Sequence, residues 1–92
     1  MRNILKFARE NNFEIMEQSY DNILGRKVRI KSPKGNWYAI RDHESEATYT
    51  IHGWRGHSEP YAMTSNKSNY SDYFRTQKDA IFTIKLRERL ED

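Results

Sequence analysis

Apolar positions recur at helical spacing at the start of the chain, at alternate positions through its middle, and broadly again near its end. Over residues 2–11, Ile4, Leu5, Phe7 and Ala8 share one side of a helical wheel, and Arg2, Lys6 and Arg9 share the other. This predicts an amphipathic helix. Asn11-Asn12 supplies its stop, since asparagine tolerates the left-handed conformation that closes many helices.

FEIMEQSY (13–20) predicts a strand, although its alternation is imperfect. Asp21-Asn22 opens a turn that Gly25 completes. KVRIK (27–31) alternates cleanly, with Val28 and Ile30 on one side and Lys27, Arg29 and Lys31 on the other. Ser32-Pro33-Lys34-Gly35 has turn chemistry, proline presetting φ and glycine permitting positive φ. NWYAIR (36–41) returns as the second arm of a hairpin. ATYTIH (47–52) predicts a third strand of β-branched and aromatic residues. Residues 53–73 lose the pattern in glycine, proline, serine and asparagine and predict a long loop with a short strand near Tyr61–Met63. A second helix is predicted over 77–91. Thr76 with Asp79 forms an approximate capping box. Its apolar residues, Ala80, Ile81, Phe82, Ile84, Leu86 and Leu90, spread over most of the wheel, and only Lys78, Lys85 and Arg89 form a polar ridge. Such a helix crosses a sheet and meets a second surface.

The expected architecture is α+β: one small domain over residues 1–92, with an antiparallel three- to four-stranded sheet and an N-terminal and a C-terminal helix on one of its faces. Composition narrows this further. Leu, Ile, Val and Phe supply only 17 of 92 residues, so the core is thin and open to support from a partner or from homodimerisation. Twelve aromatics and a net charge of only +3 place the chain on the folded side of the boundary with disorder. With no cysteine, disulfides and thiolate metal sites are excluded. The opening MRNILKFAREN has no apolar run of the length a signal peptide or membrane span needs. The expectation is a cytoplasmic protein without membrane attachment and without a cofactor.

Charge is uneven along the chain. Residues 1–41 carry nine basic and four acidic side chains, whereas residues 42–74 carry two and five. Alternation concentrates the positive charge further. If Val28, Ile30, Tyr38 and Ile40 face the helices, the opposite face presents Lys27, Arg29, Lys31, Trp37 and Arg41, with Lys34 at the turn. Cations for phosphates beside an aromatic plane for bases are the requirements of an RNA or single-strand platform. The same residues also serve to keep an exposed sheet soluble and to block edge pairing. Register decides the matter, because a one-residue slip buries Trp37 and exposes Tyr38.

A second candidate is HGWRGH (52–57), where Trp54 and Arg55 between glycines suit either an RNA contact or an interface anchor. His43, His52 and His57 lack the spacing of a metal site. His52, His57, Glu59, Arg55 and Tyr61 are the residue types a metal-independent ribonuclease uses, a base and an acid beside a phosphate clamp. No phosphate loop, dinucleotide fingerprint or nucleophile motif is present.

ILKFARENNFEIMEQS (4–19) resembles the opening of HicA-type toxins, in which a helix, an Asn/Gly-Phe-Glu step and a strand lead into a fold like that of double-stranded-RNA-binding domains. Those proteins continue with a histidine in a Gly-Ser-His turn. Here Ser19 is followed by Tyr20 and Asp21, so the resemblance carries over no activity. Small phage inhibitors share this size and order of elements. The preferred expectation is a non-enzymatic binding protein for RNA or single-stranded nucleic acid. The alternatives are a protein-binding inhibitor or antitoxin-like modulator of a host enzyme, of phage-accessory type, and a small ribonuclease.

Overall fold

A computed structural model of the chain describes residues 1–21, 25–42 and 59–90. The elements run α1 (Arg2–Glu10), β1 (Glu14–Asp21), β2 (Gly25–Lys31), β3 (Trp37–Asp42), β4 (Tyr61–Ser65), β5 (Ser68–Phe74) and α2 (Gln77–Glu88). All five strands join one antiparallel sheet in chain order, β1-β2-β3-β4-β5. The α+β expectation holds, with one or two strands more than the pattern predicted. The expected strand at 47–52 lies outside the described residues.

Where the serine- and asparagine-rich stretch predicted a loop, the chain forms the β4–β5 hairpin instead. Tyr61 and Met63 face the helices, and Asn66-Lys67 makes the turn. That turn is tied to the neighbouring strand. Asn66 Oδ1 accepts from the Trp37 N–H at 3.0 Å, and its Nδ2 donates to Asn36 Oδ1 at 3.2 Å. Tertiary pairing here overrides weak strand propensity.

The core forms where one sheet face meets both helices. Val28, Ile30, Tyr38, Ile40 and Met63 pack against Ile4, Phe7 and Ala8 of α1, Phe13, and Ala80 and Ile84 of α2. Phe13 bridges the layers, its ring 5.1 Å from Phe7 and 6.5 Å from Tyr38. The helices also meet each other along the α1–α2 contact, while Phe82 and Leu86 of α2 stay exposed.

Helix ends follow their expected chemistry. Asn12 adopts φ 61° and stops α1. Met1 offers α1 no side-chain cap. Its open amides are met by Gln77, whose Oε1 accepts from Asn3 N at 3.0 Å and Ile4 N at 3.2 Å. The Thr76 hydroxyl accepts from Asp79 N at 3.2 Å. α2 ends at Glu88, three residues before the expected limit at 91. Arg89 turns left-handed at φ 57°, and Leu90 N closes on Lys85 O at 2.9 Å.

A bulge explains the imperfect alternation of β1. Ile15 pairs with Ile30 and Glu17 with Arg29, so the register shifts between them at Met16. The extra residue flips the parity of the strand. Glu17 and Ser19 then reach the open face with Arg29 and Lys27. Among the described residues no helix is long and apolar enough to cross a membrane.

Candidate nucleic-acid interface

The hairpin register is the one that keeps Trp37 out of the core. Val28 pairs with Ile40 and Ile30 with Tyr38, and all four are buried. Lys27 therefore faces Arg41, and Lys31 faces Trp37, on the side away from the helices. Tyr38 fixes this choice. Its hydroxyl donates to Glu88 Oε2 at 2.7 Å, and Asn36 Nδ2 donates to the same oxygen at 2.7 Å. Because side chains alternate, anchoring Tyr38 inward sends Trp37 and Ala39 outward.

Glu88 is 1 % exposed, a carboxylate deep in a thin core. Burial raises its pKa, but hydrogen bonds from Ser32, Tyr38 and Asn36 and the charge of Lys34 outweigh that and hold it below the ordinary value. Burial, and then the bond to Glu88, push the Tyr38 hydroxyl well above its usual range. Lys34 belongs to this inner network. Its Nζ donates to the Glu88 carbonyl at 2.6 Å, so it caps the end of α2 on the helix side instead of extending the basic face. Gly35, at φ 89°, completes the turn, with Gly35 N donating to Ser32 O at 2.9 Å.

β5 is anchored in the same way. Asp72 accepts from Arg87 of α2 at 2.7 Å. Tyr73, opposite Ala62, therefore lies on the open side. Cross-strand rows on that face follow directly from the pairing. One row runs Ser19, Lys27, Arg41, Ala62, Tyr73; the next runs Glu17, Arg29, Ala39, Thr64; the third runs Glu14, Lys31, Trp37. Across the strands the acids thus stand on β1, the cations on β2 with Arg41 beside them on β3, and small or aromatic groups on the rest of β3 to β5.

Lys27, Arg29, Trp37 and Arg41 gather around one depression of about 420 Å³, together with Ala39, Ala62, Thr64, Ser71 and Tyr73. The Arg29 guanidinium lies over the Trp37 ring, 5.0 Å from its centre. That is a cation–π pair, which presents the two side chains as one stacked plate. Arg29 Nε is buried and makes no hydrogen bond among the described residues. Glu17 moderates the cations: it sits 3.6 Å from Lys27 Nζ. The Ser19 hydroxyl, donating at 2.9 Å, and then the Lys27 charge hold the Glu17 carboxyl below its ordinary value.

Of the residues expected from sequence, Lys27, Arg29, Trp37 and Arg41 line the depression, and Lys31 is exposed beside it. Trp54 and Arg55 lie outside the described residues, as do His43, His52 and His57. Tyr61, expected beside those histidines, faces the helix layer, where Gln77 Nε2 donates to its hydroxyl at 3.4 Å. Sequence reasoning missed Ala39, Ala62, Thr64, Ser71 and Tyr73. It also missed Glu17, which only the bulge brings to this face. The signal for Tyr73 was faint: a tyrosine two places from Ser71 in a stretch whose other residues favour loops.

Neither a family model, nor a curated protein, nor a solved structure matches this chain.

Proposed function

We propose that the open sheet face binds single-stranded nucleic acid, RNA in preference to duplex DNA, and that the protein acts by binding and not by catalysis. The observation that carries this reading is the convergence of Lys27, Arg29, Arg41 and Trp37, with Tyr73, on one depression in a face that no described helix covers. Alternate residues of a strand stand about 6.6 Å apart. Lys27, Arg29 and Lys31 therefore form a column of cations along β2, spaced to follow an extended phosphate backbone. The aromatic and small groups of β3 to β5 offer stacking surface beside it, where base–aromatic stacking is worth about 1–3 kcal/mol per base. Among the described residues no helix stands ready to enter a major groove, because both described helices are packed on the far side of the sheet.

The test is titration of labelled single-stranded RNA at several salt concentrations. With Lys34 committed to Glu88, four cations of the described hairpin remain for phosphates: Lys27, Arg29, Lys31 and Arg41. The expected log–log salt slope is about −3. Trp37→Ala should weaken binding by roughly 1–3 kcal/mol while leaving that slope in place. Absence of saturable binding at low salt ends this reading. It would return the question to a protein partner, the inhibitor-like alternative, for which exposed Phe82 and Leu86 offer an apolar contact.

A further inference from the structure

Ala39 and Ala62 are 8 % and 6 % exposed although they lie on the face that no described helix covers. They line one depression with the long side chains of Lys27, Arg29, Trp37, Arg41 and Tyr73. A sheet face shaped only for solubility places long polar residues at such central positions. Alanine is disfavoured in strands, and two alanines on adjacent strands leave a floor that the neighbouring side chains wall in. The resulting depression falls within the size range of small-ligand sites. Its wall is also asymmetric. Beyond the cations of β2 stand Glu14 and Glu17 of β1, which repel a polyanion, while the β4–β5 side offers Thr64 and Ser71 without charge.

We infer that this depression is a base pocket: it takes one unstacked base of a strand whose phosphates follow β2. This rests on the reading that the open face binds single-stranded nucleic acid. The base lies on Ala39 and Ala62 between Trp37 and Tyr73, its polar edge toward the hydroxyls of Thr64 and Ser71. Arg29 is the residue that moves. At rest it covers Trp37 and leaves its own Nε without a hydrogen bond among the described residues. A phosphate over β2 supplies the missing acceptor and draws the guanidinium off the ring, which opens the indole face to the base. The acids of β1 set the polarity of the complex, phosphates over β2 and the base toward β5. The consequence is base preference at one position within an otherwise sequence-neutral platform.

Fluorescence anisotropy with labelled ten-residue oligo(A), oligo(C) and oligo(U), at one salt concentration and then across several, tests this. Inorganic polyphosphate serves as a base-free competitor. The wild type should separate the homopolymers by at least about fivefold and prefer all of them to polyphosphate. Ala62→Leu fills the floor and should collapse the separation to under about twofold with the salt slope unchanged. Lys31→Ala, outside the depression, should weaken all three equally and reduce the slope by about 0.7. Thr64→Val, isosteric and exposed, should reorder the three bases, and it keeps the test alive if Ala62→Leu melts early. Equal binding of the homopolymers, or equal competition by polyphosphate, overturns the base pocket and leaves a purely electrostatic platform. Retained discrimination in both Ala62→Leu and Thr64→Val overturns it as well. Failure of every polyanion to bind at low salt removes the underlying platform too.

Discussion

On the helix side of the sheet, Tyr38 and Asn36 donate to Glu88, and Asp72 accepts from Arg87. One residue along from Tyr38 and Asp72, on the open side, Trp37 and Tyr73 look onto the depression. These inner side chains bond across the layer and lie close to the core, with Arg87 Nη1 alone among their buried atoms left without a partner among the described residues. On the outer face a cation stacks on an indole with its Nε unbonded among the described residues, and a glutamate restrains a lysine. The two faces are mechanically linked by strand alternation. The inner anchors decide where the outer side chains stand, while the outer side chains contribute little to holding the sheet. Stability and recognition can therefore be perturbed separately, and substitutions should sort by face.

The largest effect belongs to the inner layer. Ile84→Ala removes a fully buried side chain from α2 and should cost about 2–5 kcal/mol in denaturant unfolding. In a domain this small, that is a large part of its total stability. Next comes Glu88→Ala, which leaves Tyr38 and Asn36 without their shared acceptor and should cost about 1–3 kcal/mol.

The same group gives a pH signature. The folded pKa of Glu88 lies below its ordinary 4.5, so its contribution is complete above that value and is lost as pH falls through the folded pKa. Tyr38 has the opposite displacement. Its contribution is complete below 10.0 and is lost as pH rises beyond it. Thermal melts across pH should show both limbs, and Glu88→Gln should flatten the acid limb while leaving the alkaline fall.

A matched pair of lysines sharpens the division between faces. Lys34→Ala should lower the melting temperature and leave RNA affinity within about twofold. Lys31→Ala should weaken RNA binding and leave the melting temperature nearly unchanged, as expected of an exposed surface substitution within about 0.5 kcal/mol. Equal weakening of RNA binding by the two would show that the turn shares the contact with the column along β2 and would break the division between faces. The smallest effect is a gain. Glu17→Gln releases Lys27 from an exposed ion pair and should tighten RNA binding about two- to fivefold, in line with the modest worth of such pairs.

How much of this was legible in the chain differs by element. The β2–β3 hairpin was, because Val28 and Ile30 alternate with basic residues and Pro33 and Gly35 mark the turn. Its register was legible only as two alternatives, and Tyr38 settles it through Glu88, fifty residues away in sequence. Glu88 itself carried a signal that charge concealed: with Ala80 and Ile84 it continues an i, i+4 stripe that is buried throughout. The β4–β5 hairpin was hidden by serines and asparagines whose strand state depends on pairing of β4 with β3 and of β5 with β4. The inward reach of Lys34 and the outward reach of Glu17 were illegible for the same reason. A turn side chain takes its direction from what packs beneath it, and a single bulge reverses the face on which everything after it lies.

Gln77 adds a constraint in time. A nine-residue helix such as α1 is too short to persist alone, and the acceptor that closes its first amides lies 74 positions downstream. On the ribosome, α1 thus emerges 74 positions ahead of the side chain that secures its first amides. Until residue 77 has cleared the exit tunnel, the apolar stripe of Ile4, Phe7 and Ala8 has no finished layer to enter. Elongation speed over the intervening strands sets how long that stripe stays uncovered.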